Sequence, residues 1–220
     1  MEVGFIGLGN MGKPMALNLF SAGYKVKGFD ITAVEMEGVS IAASATDAAA
    51  DVEVLITMLP NGNILKSVVD QVFPVMRKNS VLLDCSTVDV DSARFVASQA
   101  EANNIISLDA PVSGGVAGAT AGTLTFMVGG PKNGFEIARP LFEIMGQKAV
   151  LCGPSGNGQA AKICNNMILG ATMIVTCEAF AMADKLGLER QAMFDVVSTS
   201  SGYSWSMNAY CPAPGIGPSS

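Results

Sequence analysis

The chain opens on a short apolar run, Glu2 to Leu8, that breaks into Gly7-Leu8-Gly9-Asn10-Met11-Gly12, and no other stretch restricts the fold as much. An apolar run without polar alternation predicts a strand buried on both faces, the pattern of a parallel sheet. The hexapeptide fits G-x-G-x-x-G. Lys13 to Ser21 then has a helical pattern, with Pro14 in the first turn, where a missing N–H costs nothing. Tyr24 to Phe29 reads as a second strand, and Asp30 closes it about 20 residues beyond the glycines. The hexapeptide alone is a weak signal. Strand, glycines, helix, strand and acid in that order form a dinucleotide-binding fingerprint. Its glycines let the backbone approach a pyrophosphate at a helix N-terminus, and Asp30 accepts hydrogen bonds from the adenosine ribose; the plain alternative is that Asp30 caps a turn. A 2′-phosphate would meet like charge at Asp30, and Ile31 and Thr32 supply no cation, so the reading is NAD rather than NADP. The cofactor contacts expected here are Gly7, Leu8, Gly9, Asn10, Met11, Gly12 and Asp30.

Strand and helix patterns keep alternating. Ser40 to Ala43, Glu53 to Met58, Ser80 to Cys85, Ile105 to Leu108, Thr123 to Val128 and Lys148 to Cys152 read as strands. Thr46 to Ala50, Ile64 to Met76, Asp89 to Ala102 and Gly134 to Met145 read as helices. The fold class is α/β, a doubly wound Rossmann-type sheet whose ligands sit beyond the C-terminal strand ends. That places Leu59-Pro60 and Ser86-Thr87 either beside the cofactor or in ordinary connections. The glycine-rich Asp109 to Leu124 reads as a loop, in which Ser113-Gly114-Gly115 is either a concave site for an anion or simply a turn. From residue 157 the pattern is helical throughout, Gly158 to Leu186 and then Glu189 to Thr199. The domains expected are 1–156, holding the dinucleotide, and 157–220, helical. Ile163 to Cys177, an uncharged run shorter than a bilayer span, reads on its own as a buried helix.

Lys162 stands at this junction. It lies early in a helix, where the helix dipole disfavours a cation, and Asn166 follows one turn later on the same face. A surface lysine covering apolar neighbours is the plain reading. Elimination favours the other: the chain has no histidine, so an acid or base near neutral pH is Lys, Tyr, Cys or a carboxylate. A Ser-His-Asp triad and an imidazole zinc site are excluded. Five scattered cysteines without a Cys-x-x-Cys pair give neither a disulfide framework nor a thiolate metal site, and no metal is expected. A net charge of -6 without a basic cluster speaks against nucleic acid and anionic membrane as partners. The chain starts on its first strand, with neither a signal-type nor an Arg-rich leader. That points to the cytoplasm, or to a mitochondrion if a leader has been removed.

Four segments together, GFIGLGNMGKPMALNL at Gly4, DAPVSGGVAGATAGTLTFMVGG at Asp109, GNGQAAKICNNMILG at Gly156 and SSGYSWSMNAYCPAPG at Ser200, resemble the β-hydroxyacid dehydrogenase family across essentially the whole chain. The resemblance implies an NAD-dependent enzyme of valine degradation acting on a small 3-hydroxy acid, and a homo-oligomer. Lys162 and Asn166 match catalytic positions. Ser113, Gly114 and Gly115 match the substrate carboxylate site, Leu59, Pro60 and Thr87 match dinucleotide contacts, and Trp205 and Tyr210 match the substrate pocket. Read without the family, Trp205 is a core or interface residue. As a base near neutral pH, Lys162 needs its ammonium form destabilised by roughly 4 kcal/mol. Reduction of tartronate semialdehyde or succinic semialdehyde is the competing activity, and a non-catalytic dinucleotide-binding module is the competing class.

Pro212 to Ser220 is a proline and glycine segment that neither continues a helix nor closes a core. Family members continue past such a segment into further helices that complete the second domain. The sequence therefore reads as a fragment whose helical run is left partly uncovered, and which is expected to bind NAD, turn over poorly and self-associate.

Overall fold

The computed structural model describes residues 1–32 and 35–217, so the last three residues of the proline and glycine segment lie outside the described residues. The chain forms two compact units, Met1–Lys162 and Ile163–Ser220.

The first unit is a nine-stranded sheet with helices on both faces. Strands β1 (Glu2–Ile6), β2 (Lys25–Phe29), β3 (Ser40–Ile41), β4 (Val54–Thr57), β5 (Val81–Asp84) and β6 (Ile106–Asp109) are parallel, in the order β3-β2-β1-β4-β5-β6. Helices α1 (Gly12–Ser21), α2 (Ala45–Ala49), α3 (Gly62–Val72) and α4 (Val90–Ala102) connect them. The central strands are apolar without alternation because both faces are covered. Val54, Ile56, Val81 and Leu83 point into a core with Phe5, Met15, Leu19, Phe126 and Phe142. Their neighbours Leu55 and Leu82 point the other way, into a core with Leu65, Val69 and Val96. Each fully buried side chain of this size contributes roughly 1.5–3 kcal/mol. The helix starts are fixed locally: Asn61 accepts a hydrogen bond from the Ile64 N–H at 3.0 Å and Asp89 one from the Ser92 N–H at 2.7 Å, caps worth about 1 kcal/mol each.

Beyond β6 the sheet departs from the purely parallel pattern. The segment Asp109 to Leu124, expected to be a loop, contains strand β7 (Val112–Ser113) and helix α5 (Gly115–Ala121) before strand β8 (Leu124–Gly129). Gly114, Gly115 and Gly122 have φ of +134°, +61° and +65°, so the glycines turn the chain into and out of a helix made of small residues. Strand β8 runs antiparallel to β6 and β7. Helix α6 (Lys132–Met145) then leads to β9 (Gly146–Gly153), which pairs parallel with β8. Helix α7 (Asn157–Leu186) begins in this unit.

The second unit contains the rest of α7 with α8 (Arg190–Val197) and α9 (Trp205–Asn208), a turn of helix started by the Ser204 hydroxyl and absent from the sequence reading. Its small core joins Phe180, Ala183, Met193, Met207 and Ala213. The expectation that Ile163 to Cys177 is a buried helix is corrected here: Met167 is 69 % exposed, and Ile168, Ile174 and Val175 are exposed as well. Hydropathy measures what a surface would gain from cover, and α8 and α9 pack only on the Phe180 side of α7. By length and composition α7 is apolar enough to cross a membrane. Its first turn, however, is tied into the sheet by Gln159 and Lys162, and its later part into the Phe180 core.

Candidate active site

At the glycine turn the three glycines do different things. Gly7 has φ +97°, and a Cβ there would stand 2.2 Å from the Met58 carbonyl oxygen; one on Gly12 would stand 1.8 Å from the Gly7 carbonyl oxygen. Both hold β1, α1 and β4 close together. A Cβ on Gly9 would meet nothing within 4 Å. Gly9 is therefore bare toward open space beside an α1 N-terminus that no side chain among the described residues caps, a cradle suited to an anion. Asp30 follows directly after β2. Its two oxygens accept from the Leu8 N–H at 2.7 Å and the Thr32 N–H at 2.8 Å. Asp30 does shape the turn, and each oxygen keeps a lone pair for a ribose hydroxyl. These residues fit a dinucleotide.

The ends of β4 and β5 form the next layer. The Ser86 hydroxyl accepts from the Leu59 N–H at 2.8 Å and donates to Asp84 Oδ1 at 2.6 Å, while Thr57 donates to the same oxygen at 2.8 Å. Asp84 is wholly buried, and its other oxygen has no partner among the described residues. Burial pushes its carboxyl up to about 6, against the pull of the Ser86 and Thr57 bonds. Pro60 and Thr87 lie exposed at these strand ends.

Lys162 is half-buried on α7. Its Nζ donates to the Val112 carbonyl at 2.6 Å, and burial lowers its pKa, as a base requires. Val112 precedes Ser113 on β7, and Gly114 and Gly115 are exposed just beyond it. Two buried side chains fix the start of α7. Gln159 donates to the Ser86 carbonyl at 2.8 Å and accepts from the Val88 N–H at 3.1 Å, bracketing Thr87. Asp109, at the end of β6, accepts from the Gly156 N–H at 2.7 Å and the Gln159 N–H at 3.0 Å. One hydrogen-bonded chain thus runs from the Leu59 turn through Ser86 and Gln159 to the helix of Lys162. Asn166 lies one turn further along α7, exposed. In the second unit, Trp205 and Tyr210 stack on each other with ring centroids 5.5 Å apart. A cavity of about 490 Å³ opens elsewhere, at Phe135, Arg139 and Lys148, and holds none of these groups.

Over 223 residues the chain is 45 % identical to a Mycobacterium tuberculosis protein named probable 3-hydroxyisobutyrate dehydrogenase, matching 99 % of this chain and 76 % of the relative. A Pseudomonas aeruginosa 3-hydroxyisobutyrate dehydrogenase is 45 % identical over the same shares. The chain belongs to the 3-hydroxyisobutyrate dehydrogenase family. A second Pseudomonas aeruginosa member, named NAD-dependent L-serine dehydrogenase, is 43 % identical over 98 % of this chain and 75 % of its own length. The solved structure of the Mycobacterium tuberculosis 3-hydroxyisobutyrate dehydrogenase with L-serine superposes with a TM-score of 0.94 at 44 % identity, covering 99 % of this chain and 76 % of that one. Residues 2–153 match the NAD binding domain of 6-phosphogluconate dehydrogenase, and residues 156–216 match the family model described as NAD-binding of NADP-dependent 3-hydroxyisobutyrate dehydrogenase. The chain is thus an NAD-dependent oxidoreductase of the 3-hydroxyisobutyrate dehydrogenase family, as the sequence motifs imply.

Sequence reasoning missed three residues of this candidate site. Asp109 and Asp84 each end an apolar strand with an acid, VLLD and ISLD, and that repeated pattern was a readable signal. Gln159 had none, because nothing local distinguishes a glutamine that bridges two backbone groups from one in water.

Proposed function

We propose that this chain oxidises 3-hydroxyisobutyrate to its semialdehyde with NAD, with Lys162 as the general base. The observation that carries the reading is the Lys162 amine, half-buried and held by the carbonyl next to Ser113, on a helix tied to the Leu59 and Thr87 turns. Gly7 to Gly12, Asp30, Leu59, Pro60 and Thr87 hold the dinucleotide. Bound NAD supplies the hydride acceptor at the carbinol carbon. The Ser113 hydroxyl and the Gly114 and Gly115 amides take the substrate carboxylate, and the Asn166 amide orients the hydroxyl. Lys162, neutral before reaction, takes the hydroxyl proton onto Nζ as the carbinol hydrogen leaves. Val112 accepts a hydrogen bond from the nitrogen in either state, so the amine stays in place through the transfer. Burial favours the neutral amine, so oxidation is lost as pH falls through the pKa of Lys162. Trp205 and Tyr210, stacked on each other in the second unit, are the aromatic residues proposed to contact the substrate.

Residues 1–156 act as the cofactor domain and 157–220 as the substrate side. The exposed apolar surface of α7 favours a homo-oligomer, and five unpaired thiols favour the cytoplasm. L-Serine is a second 3-hydroxy acid to consider, because a 43 % identical relative is named for it. Steady-state rates with 3-hydroxyisobutyrate, L-serine, tartronate semialdehyde and succinic semialdehyde, each with NAD and NADP, test the assignment. The highest kcat/KM is expected for 3-hydroxyisobutyrate with NAD. NAD binding without turnover of any of the four would make the chain a binding module.

A further inference from the structure

We propose that Asp109 is a positioning residue for this reaction, a buried carboxylate that fixes the start of α7 and thereby the place of the Lys162 amine. The inference rests on the reading of Lys162 as the base.

Asp109 lies at the C-terminal end of β6, 5 % exposed. Its Oδ1 accepts from the Gly156 N–H at 2.7 Å and its Oδ2 from the Gln159 N–H at 3.0 Å. Both partners are donors, so the site suits a carboxylate, which only accepts, and the positive end of a helix favours its charge. The chain around it is cut away to let it in. A Cβ on Gly129 would stand 2.5 Å from Asp109 Oδ1 and 2.7 Å from the Gly158 nitrogen. One on Gly158 would stand 2.3 Å from both the Asp109 and Met127 carbonyl oxygens. The same short segment then acts a second time: Val112, three residues after Asp109, accepts from Lys162 Nζ. The helix is thus held at its origin and at its reactive amine by one stretch, Asp109 to Val112. That stretch lies in a single register on β8, with Asp109 opposite Gly129 and Val112 opposite Phe126. From Gln159 to Lys162 the helix rises only about 4.5 Å. A tilt at the first turn therefore reaches the amine undamped, and a displacement of about 1 Å in a reacting group can cost 10²-fold in rate.

The test is Asp109→Asn in the full 220-residue chain, which keeps the shape and turns one acceptor into a donor facing a backbone N–H. Expected are a fall in kcat on the order of 10²-fold, an NAD Kd within about threefold of wild type, and amide hydrogen exchange faster by at least about tenfold at Gly156 and Gln159. Exchange in β1 and β4 should stay as in wild type. A folded variant with wild-type kcat would overturn the proposal. So would kcat and NAD binding falling together in proportion to folded protein, or Gly156 and Gln159 amides protected as in wild type. The exchange measurement needs no turnover, so it decides the anchoring even if wild type proves inactive, a result that would instead defeat the assignment of Lys162. Gly129→Ala displaces the carboxylate without removing it. If Asp109→Asn does not fold, Gly129→Ala carries the test: the same loss of kcat is expected, and an unchanged kcat in that variant would overturn the proposal.

Discussion

Replacing Asp84 by asparagine should remove a pH-dependent loss of stability. The carboxyl is wholly buried, with one oxygen bonded to Thr57 and Ser86 and the other unpartnered, and its pKa rises from 3.8 to about 6 on folding. Because the folded value lies above the unfolded one, the folded state keeps this proton between those two pH values while the unfolded chain has released it. The contribution is complete below the unfolded pKa and lost as pH rises through the folded one. At about 1.4 kcal/mol for each pH unit, the loss totals about 3 kcal/mol. In Asp84→Asn the amide oxygen can take over the bonds from Thr57 and Ser86, and no charge forms at any pH. Its NH2 group takes the place of the unpartnered oxygen at a cost of about 1–3 kcal/mol. That cost does not depend on pH, so the comparison must be made across pH. Urea denaturation of both proteins at pH 4 and pH 7 reads it. The stability of the variant relative to wild type should rise by about 2–3 kcal/mol between the two. Parallel stabilities, within about 0.5 kcal/mol of a constant offset, would refute the reasoning and mean that Asp84 is solvated or paired in the folded protein.

Three further variants probe the cofactor turn. Gly9→Ala should leave thermal unfolding unchanged, because its Cβ meets nothing within 4 Å, yet raise the NAD Kd about tenfold by placing a methyl where the nucleotide approaches. Gly12→Ala should lose stability as well, since its Cβ would stand 1.8 Å from the Gly7 carbonyl oxygen. Asp30→Ala combined with Ile31→Arg should shift the ratio of kcat/KM values toward NADP; Ile31 is 95 % exposed, so the arginine has room. A wild type already more efficient with NADP would contradict the role given to Asp30.

What could be read in advance follows from how locally each feature is encoded. The parallel strands were legible because apolar runs such as Val54–Thr57 and Val81–Asp84, buried on both faces, carry their own signature. The Gly7 to Asp30 unit was legible because its chemistry is contiguous in sequence. Helix α5 was not, since glycine content signals a loop, while Gly114 and Gly122 in fact mark the two ends of a helix. Read on its own, Ile163 to Cys177 suggested a buried helix, and that failed because cover depends on what packs there, which hydropathy does not encode; the exposure agrees with the second expectation, a run left partly uncovered. At the site, Lys162 emerged from the lack of histidine and the placing of a cation early in a helix. Its anchor did not, because Asp109 and Gly156 lie 47 residues apart in sequence and meet only when β6 and α7 are assembled.

The most direct test of the account is the turnover of Lys162→Ala measured beside its NAD affinity. If the half-buried amine held by Val112 is the base, kcat should fall at least about 10²-fold, while the NAD Kd, set by the glycine turn and Asp30, stays within about twofold of wild type. Retention of more than a few per cent of the wild-type kcat would contradict the assignment of Lys162.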